Sequence, residues 1–289
     1  MSPTTSVVFA GTPAFAVPSL EALIADSFFR VSLVISQPDR PAGRKQILTP
    51  SPVKECALRH GIRVFQPEDI NATYAQADLT CDFLVVVAYG QILRTEILEI
   101  SRTAPINLHA SLLPRWRGAS PLQHALLAGD TETGVTVQKM APKLDTGDIL
   151  AQVSVSLTKR ETFSSLHDRL AKMGATLLTE TLQKPLSPRP QGKENVSLCT
   201  KLTRSDGFVD TATMTAEDID RRVRALVPWP GVRCTIEGSE VKLLETALKQ
   251  EEDSLAWPCA EQTTLFIRML QPSGKKPMTG AEWQRGKRM

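Results

Sequence analysis

Short apolar runs alternate with helical patterns through the first half of the chain, and this alternation most constrains the fold. Three runs have the length of strands: residues 6–10 (SVVFA), 31–35 (VSLVI) and 83–88 (FLVVVA). The last run contains no polar residue, which is typical of a strand buried on both faces of a parallel sheet. Helical patterns lie between and after these runs, at residues 15–25, 52–60 and 121–128. We therefore predict an α/β fold with a mostly parallel sheet.

A change in composition near residue 184 divides the chain. Residues 184–193 (KPLSPRPQGK) contain three prolines and a glycine, which fit neither a helix interior nor a central strand. Beyond them we expect one helix, capped by Thr215, and then short strands at residues 231–236, 240–248 and 264–270. The sequence thus predicts a larger α/β domain at 1–183, a linker at 184–204 and a small β-rich domain at 205–289.

Cysteine usage and hydropathy bear on the compartment. The five cysteines are widely spaced and form no C-x-x-C pair, which favours reduced thiols in a cytoplasmic protein. The first basic residue is Arg30, so we expect no signal peptide. Because no apolar run approaches the roughly 20 residues that span a bilayer, we expect a soluble protein with no membrane segment. A monomer is the default expectation.

The chemistry-bearing residues are densest at 106–121 (INLHASLLPRWRGASP). Asn107 and His109 are two apart on a predicted strand, so their side chains point to the same face. An amide and an imidazole at the carboxyl end of such a strand could polarise a carbonyl group and move a proton. A polar pair that merely closes a loop is the alternative. Ser120 and Pro121 then predict a helix start, with Ser120 as the N-cap.

A second acidic loop follows at residues 143–148 (KLDTGD). An acid in this loop could face the imidazole of His109 and orient it. An Asx-type turn with solvated carboxylates is the alternative. The sequence Gly11-Thr12-Pro13 after the first strand lacks both G-x-G-x-x-G and a Walker lysine, which argues against dinucleotide or ATP binding.

With these motifs the chain resembles the folate-dependent formyltransferases. The specific signature is N-x-H followed by SLLP-x-x-R-G and then D-x-G-D, at residues 107–118 and 145–148. Further matching blocks are FAGTPAFAVPSLEAL (9–23), QPDRPAGR (37–44), TPSPVK (49–54), VVVAYGQIL (85–93), GVTVQKM (134–140), VPWP (227–230) and LQPSGKKPM (270–278). The QPDRPAGR, PWP and PSGKK pieces are similar to the branch of the family that acts on methionyl-tRNA. The resemblance implies a Rossmann-like catalytic domain followed by a smaller, reduced β-barrel of OB type.

The reaction implied by the resemblance moves a formyl group from 10-formyltetrahydrofolate to the α-amine of methionine on initiator tRNA. The catalytic residues carried over are Asn107, His109 and Asp145. Asn107 would donate to the developing oxyanion, His109 would assist the tetrahedral intermediate and the proton transfers, and Asp145 would position His109 or a water. Because the amine itself attacks, neither a nucleophilic side chain nor a metal is expected.

Binding residues also follow from the resemblance. The folate would lie across the carboxyl edge of the sheet, against the 140–147 loop and Ser111, Leu112, Leu113, Pro114, Val87, Ala88, Tyr89 and Gly90. Ordinary core packing is the alternative for the two leucines. The loop at residues 37–52 resembles a tRNA-inserting loop. The residues expected to bind tRNA are Arg40, Arg44, Lys45, Lys275 and Lys276.

The net charge of +3 conceals two basic segments. Residues 30–63 and residues 268–289 each carry a net charge of +5, and the remaining residues sum to −7. Such segments suit an RNA substrate. Two alternatives stay open: a related formyltransferase that acts on a small amine, such as an amino sugar nucleotide or glycinamide ribonucleotide, and an RNA-binding protein without catalysis.

Overall fold

The computed structural model describes residues 4–43 and 46–286. The strands are β1 (Thr5–Gly11), β2 (Phe29–Ile35), β3 (Arg40–Ala42), β4 (Ile47–Thr49), β5 (Val64–Phe65), β6 (Phe83–Val87), β7 (Ala104–His109), β8 (Arg117–Gly118), β9 (Glu132–Lys139), β10 (Ile149–Ser156), β11 (Leu198–Cys199), β12 (Val232–Ile236), β13 (Ser239–Ala247), β14 (Leu255–Pro258), β15 (Thr264–Pro272) and β16 (Met278–Thr279). The helices are α1 (Val17–Ala25), α2 (Pro52–Arg59), α3 (Ile70–Thr73), α4 (Thr95–Leu98), α5 (Pro121–Ala128), α6 (Phe163–Leu182), α7 (Ala216–Leu226) and α8 (Gly280–Arg285).

The chain folds into two compact units whose segments interleave. The first unit contains the residues up to Gly118, Glu132–Ser156 and His167–Leu198. The second contains Ala119–Thr131, Leu157–Leu166 and the residues from Cys199 onward. The sequence analysis instead places each domain in one continuous stretch, at 1–183 and 205–289. That division stays a prediction.

A seven-stranded sheet organises the first unit, in the order β10-β9-β7-β6-β1-β2-β5. Strands β5, β2, β1, β6 and β7 run parallel to one another. Strand β9 is antiparallel to both β7 and β10. The predicted α/β fold with a mostly parallel sheet is therefore confirmed, and β7 lies where the parallel part of the sheet meets its antiparallel edge.

The central strands carry the core of this unit. All five residues of β6 are buried, and Leu84 and Val86 pack in one cluster with Val8, Leu33 and Tyr89. Full burial of such an aliphatic side chain stabilises the fold by about 1.5–3 kcal/mol. This packing fixes β6, and the neighbouring strand β7 pairs with it in parallel, from Phe83–Ala104 to Val86–Asn107.

Helix α2 forms where the sequence predicts a helix, and it ends at Arg59, one residue before the predicted end at residue 60. The Ser51 side chain accepts a hydrogen bond from the backbone N–H of Lys54, and Pro52 occupies the first helical position. Gly61, two residues past the helix, has a φ of 69°. This left-handed conformation is readily available to glycine, so the chain turns towards β5 without strain.

The second unit holds the antiparallel strands. Strands β12, β13 and β15 are paired in that order, and β14 and β16 both pair with β15. Within the described residues no pairing joins β12 to β14, so the strands form an open sheet. The prediction of a small β-rich domain is confirmed by these antiparallel strands, and a reduced β-barrel of OB type stays a prediction.

Two helix starts in the second unit test the predicted caps. Thr215 accepts a hydrogen bond from the N–H of Asp218 at 3.2 Å and caps α7 as predicted. The prediction for Ser120 is wrong in detail, since in the described structure its side chain makes no capping hydrogen bond. The Ser120 carbonyl instead accepts from the backbone and from Nδ1 of His124.

A buried carboxylate organises α7. Asp220 is 1% exposed and bonds the guanidinium groups of Arg160 and Arg224 at 2.9 Å each. It also accepts from the hydroxyl of Thr246 on β13 at 2.8 Å. Because the buried charge is paired and hydrogen-bonded, removal of one partner would leave an uncompensated charge in the interior.

Strands β3 and β4 form a hairpin that the sequence did not predict. Ile47 and Leu48 on β4 are exposed. The predicted tRNA-binding residues Arg44 and Lys45 lie outside the described residues. None of the helices in the described part of the chain is long and apolar enough to cross a membrane.

Candidate active site

Asn107 and His109 lie at the carboxyl end of β7 on one face of the strand, as the spacing predicts. Both side chains approach Asp145, which lies in the loop between β9 and β10. The Nδ2 atom of Asn107 donates to Oδ1 of Asp145 at 3.4 Å, and Nδ1 of His109 lies 3.6 Å from Oδ2. The structure thus brings the three predicted catalytic residues together.

Nitrogen atoms surround the Asp145 carboxylate. The side-chain amide of Gln138 donates to Oδ1 at 3.0 Å, and the backbone N–H of Gly118 donates to Oδ2 at 2.9 Å. Because this side chain is only 7% exposed, these donors replace the water that a surface carboxylate would bind. The carboxylate is therefore held in one orientation, facing Asn107 and His109.

The imidazole of His109 is oriented by a backbone carbonyl. Its Nε2 atom lies 2.8 Å from the carbonyl oxygen of Trp116. A carbonyl oxygen can only accept, so Nε2 carries the hydrogen. Nδ1 then holds the lone pair in the neutral ring, and its 3.6 Å separation from Asp145 exceeds hydrogen-bonding distance. Nδ1 is therefore the ring nitrogen able to take up a proton.

The Trp116 carbonyl is itself held in place. Trp116 has a φ of 59°, a left-handed conformation that costs a residue with a Cβ atom about 1–2 kcal/mol. Its N–H donates to the Ser197 hydroxyl at 2.9 Å, and the guanidinium of Arg115 lies 4.5 Å from the centre of the indole ring. These contacts fix the acceptor that orients His109.

The SLLP segment, residues 111–114, is anchored to β9 through Thr136. The Thr136 hydroxyl donates to the carbonyl of Ser111 at 2.6 Å and accepts from the N–H of Leu113 at 3.1 Å. Gln152 donates to both Thr136 Oγ1 and the Leu113 carbonyl. The Ser111 and Leu113 side chains are buried, whereas Leu112 and Pro114 are half-buried. Of the four predicted folate contacts, Leu112 and Pro114 offer the more accessible side chains.

The backbone after β6 is exposed to solvent at two of the other predicted folate contacts. Ala88 and Gly90 are exposed and have φ values of 48° and 94°. Between them, the Tyr89 side chain points into the core, where burial raises its pKa to about 12, and the Tyr89 carbonyl accepts from the Thr12 hydroxyl. Val87 is fully buried. The accessible groups here are backbone groups of Ala88 and Gly90.

The loop that carries Asp145 requires a glycine at position 147. A Cβ atom placed there would lie 1.7 Å from the Lys139 carbonyl oxygen, far inside van der Waals contact. The close approach is held by a hydrogen bond from the Lys139 N–H to the Asp148 carbonyl. Asp145 itself has a φ of 51°. The D-x-G-D motif thus folds back tightly on the end of β9.

Two glutamines at this site were missed in the sequence. Gln138 is 1% exposed and lies opposite Asn107 in the β7–β9 pairing. A polar residue in an otherwise buried strand was the signal that could have revealed it. Gln191 contacts the carbonyls of Asp145 and Gly147, although its segment was read as a linker.

Three of the residues predicted to bind tRNA lie in exposed parts of hairpins. Arg40, on β3, forms an exposed ion pair with Glu68 at 2.8 Å. Lys275 and Lys276 are exposed in the turn between β15 and β16 of the second unit. Among the described residues there is no cluster of three or more metal-ligating side chains.

Both parts of the chain match models of known protein families. Residues 5–182 match the formyl transferase model, and residues 201–288 match the model of the formyl transferase C-terminal domain. The chain is 45% identical to the methionyl-tRNA formyltransferase of Halorhodospira halophila, over 98% of this chain and 96% of that protein. It is 46% identical to the enzyme of the same name from Methylococcus capsulatus, over 96% and 95%.

Solved structures share the fold at low sequence identity. A sugar 3N-formyl transferase crystallised with dTDP and 5-N-formyl-THF is 18% identical, with a TM-score of 0.68 over 95% of this chain and all of that chain. A methionyl-tRNA formyltransferase from Clostridium thermocellum is 16% identical, with a TM-score of 0.62 over 85% and 94%. At these identities the likeness concerns the fold alone.

Proposed function

The chain belongs to the formyl transferase family, and we propose that it transfers the formyl group of 10-formyltetrahydrofolate to the α-amino group of methionine on initiator tRNA. The products are N-formylmethionyl-tRNA and tetrahydrofolate. The observation that carries the proposal is the convergence of Asn107, His109 and Asp145 at the end of β7. The two relatives described above, 45% and 46% identical along nearly the whole chain, support the acceptor.

In this proposal Asn107 stabilises the transition state. The neutral amine attacks the formyl carbon, a C–N bond forms, and negative charge develops on the formyl oxygen. Asn107 is only half-buried, and its amide has two N–H groups, one of which is directed to Asp145. The second is available to the oxyanion. One preorganised donor of this kind contributes about 10²–10³ to the rate.

His109 handles the proton in the same proposal. The attacking amine must lose one proton, and the folate nitrogen must gain one as its bond to the formyl carbon breaks. Nδ1 of His109 takes the proton from the amine and returns it to the leaving nitrogen, so no net proton is consumed. The Nε2 hydrogen bond to Trp116 holds the required tautomer, and positioned general acid–base catalysis contributes roughly 10²–10⁴ to the rate.

A folate-derived formyl donor accords with the family, and the 10-formyl form is part of the proposal. Open backbone groups at Ala88 and Gly90 suit the polar edge of a pterin ring. Half-buried Leu112 and Pro114 suit its apolar faces. We assign the folate site to these residues together with the 140–147 loop.

The tRNA acceptor accords with the two basic segments of the sequence. A small amine requires no such charge, whereas an RNA backbone is attracted by Lys and Arg. The proposed contacts are Arg40, Arg44, Lys45, Lys275 and Lys276. A cytoplasmic location and a monomeric state belong to the proposal and rest on the sequence.

The proposal is tested by offering several acceptors to one protein preparation. The protein is incubated with 10-formyltetrahydrofolate and charged initiator tRNA, and formyl-methionine is measured after hydrolysis of the ester. Parallel reactions contain an amino sugar nucleotide or glycinamide ribonucleotide. We expect formylation of the tRNA with kcat/KM far above either small amine. If the protein formylated a small amine and not the tRNA, the proposed tRNA acceptor would be wrong.

A further inference from the structure

The segment between α6 and β11 makes specific hydrogen bonds within the first unit. Arg189 exchanges two backbone hydrogen bonds with Ile149 on β10, at 2.8 and 2.9 Å. Two residues later, the half-buried side chain of Gln191 reaches the loop that carries Asp145. The segment therefore has fixed partners at the edge of the candidate site.

The amide of Gln191 is saturated with hydrogen bonds. Its Oε1 atom accepts from Nε and Nη2 of Arg117 at 3.1 and 2.7 Å. Its Nε2 atom donates to the carbonyls of Asp145 and Gly147 at 2.9 and 2.7 Å. A primary amide has two donor hydrogens and two acceptor lone pairs, so these four bonds match its full capacity. Its Nε2 atom also lies 3.5 Å from Oε1 of Gln138, at the limit of hydrogen-bonding distance. No other side chain of this length combines two N–H donors with an acceptor oxygen.

These contacts join the two chain segments that fix the Asp145 carboxylate. One segment is the loop that contains Asp145. Asp145 has a φ of 51°, which is unfavourable for a residue with a Cβ atom. The other is the strand of Arg117, whose neighbour Gly118 donates its N–H to Oδ2 of Asp145 at 2.9 Å. Gln191 holds the donor and the acceptor of that bond in register.

We propose that Gln191 is a positioning residue for the formyl transfer, acting through Asp145. This inference rests on the proposed function, because it assigns Gln191 a role in the same reaction. Gln191 does not touch the reacting atoms. It keeps the Asp145 carboxylate against His109 and Asn107, and a displacement of about 1 Å in such a group can reduce the rate by about 100-fold.

Two substitutions separate the two halves of the amide. Gln191→Ala removes all four bonds. Gln191→Glu keeps an acceptor for Arg117 but places a carboxylate oxygen against the carbonyls of Asp145 and Gly147. We expect both variants to lose about tenfold or more in kcat, with the KM values for folate and tRNA within about twofold of wild type. Near-normal kcat in Gln191→Glu would show that the Arg117 half alone matters and would overturn the proposal.

A double-substitution cycle distinguishes positioning from general support of the fold. In an Asp145→Ala background, Gln191→Ala should change the residual rate by less than about twofold, because its effect passes through the missing carboxylate. An equal loss in both backgrounds would contradict the inference. Gln183→Ala is the matched control: this exposed glutamine donates to Asp26, and its removal should leave kcat unchanged.

A crystal structure of Gln191→Ala decides the question without reference to the acceptor. We expect residues 143–148 to shift and the bond between Gly118 and Asp145 to lengthen or break. An unmoved loop would overturn the inference. A wild-type protein that does not formylate methionyl-tRNA would instead overturn the proposed function, and the crystal structure would still test the role of Gln191.

Discussion

The carboxylate of Asp145 faces the imidazole of His109 across 3.6 Å, and both side chains are 7% exposed. With Nε2 bonded to the Trp116 carbonyl, the ring presents Nδ1 to the carboxylate. A proton taken up by Nδ1 would therefore meet a negative charge in a site with little water, where electrostatic interactions are stronger than at the surface. From this geometry we propose that Asp145 acts on the reaction through His109.

Asp145→Asn should lower kcat by about 100-fold, because an orienting group in a catalytic unit loses both charge and geometry. The contacts on both carboxylate oxygens include donors from Gln138, Asn107 and Gly118. An amide NH₂ in this position must oppose at least one of them. Steady-state kinetics with saturating tRNA tests this, with Asp168→Asn, at a side chain 77% exposed, as the control. A loss below about threefold would refute the role of Asp145.

Gly147→Ala should both destabilise the protein and inactivate it. The added Cβ atom collides with the Lys139 carbonyl, so β9 or the Asp145 loop must move, at a cost of about 1–3 kcal/mol. Thermal unfolding and the formylation rate measure the two effects. Gly192→Ala is the control, since a Cβ atom at that position meets nothing within 4 Å. Equal behaviour of the two variants would contradict the geometry described for the loop.

Asp82 should contribute stability that depends on pH. The Ser6 backbone N–H and hydroxyl both donate to its carboxylate at 2.8 Å, and these bonds hold its pKa below the ordinary value. A carboxyl group with a lowered pKa stabilises the fold above its unfolded pKa and loses this contribution as pH falls through the folded pKa. Asp82→Asn should therefore cost about 1–2 kcal/mol at pH 7.

The same stability difference should shrink steadily as pH falls below about 4, where the unfolded Asp is protonated. Urea unfolding of wild type and Asp82→Asn between pH 7 and pH 3 measures it. A difference that stays constant across this range would show that the charge of Asp82 contributes nothing.

Arg44→Ala should weaken use of the tRNA without affecting folate. Loss of one phosphate contact is expected to raise the KM for tRNA about fivefold to tenfold at low salt and to reduce the slope of its salt dependence by about one. Lys172→Ala removes one positive charge from an exposed position on α6, outside both basic segments, and serves as the control. Unchanged kcat/KM for tRNA in Arg44→Ala would remove this residue from the proposed interface.

The fold could be predicted from the sequence where the pattern is local. The apolar run at residues 83–88 and the helical pattern at residues 52–60 both depend on neighbouring residues, and the structure confirms a strand and a helix there. The same holds for Asn107 and His109, whose common face follows from strand geometry alone.

Long-range contacts could not be predicted in this way. Gln191 finds its partners 44 to 74 residues away, and a proline-rich segment offers no periodicity that reveals them. The second unit likewise includes residues 119–131, which separate from the first unit only through tertiary contacts. Ser120 is a local exception, because its carbonyl rather than its side chain bonds the first turn of α5.

A single-turnover measurement with Asn107→Ala tests the central claim most directly. Enzyme in excess is mixed with 10-formyltetrahydrofolate and methionyl-tRNA, and formylation is followed in time beside tRNA and folate binding. We predict rapid transfer by wild type and a rate about 100-fold to 1,000-fold lower in the variant, with both affinities within about twofold. A variant rate within about threefold of wild type, or no transfer to tRNA by wild type, would contradict the account.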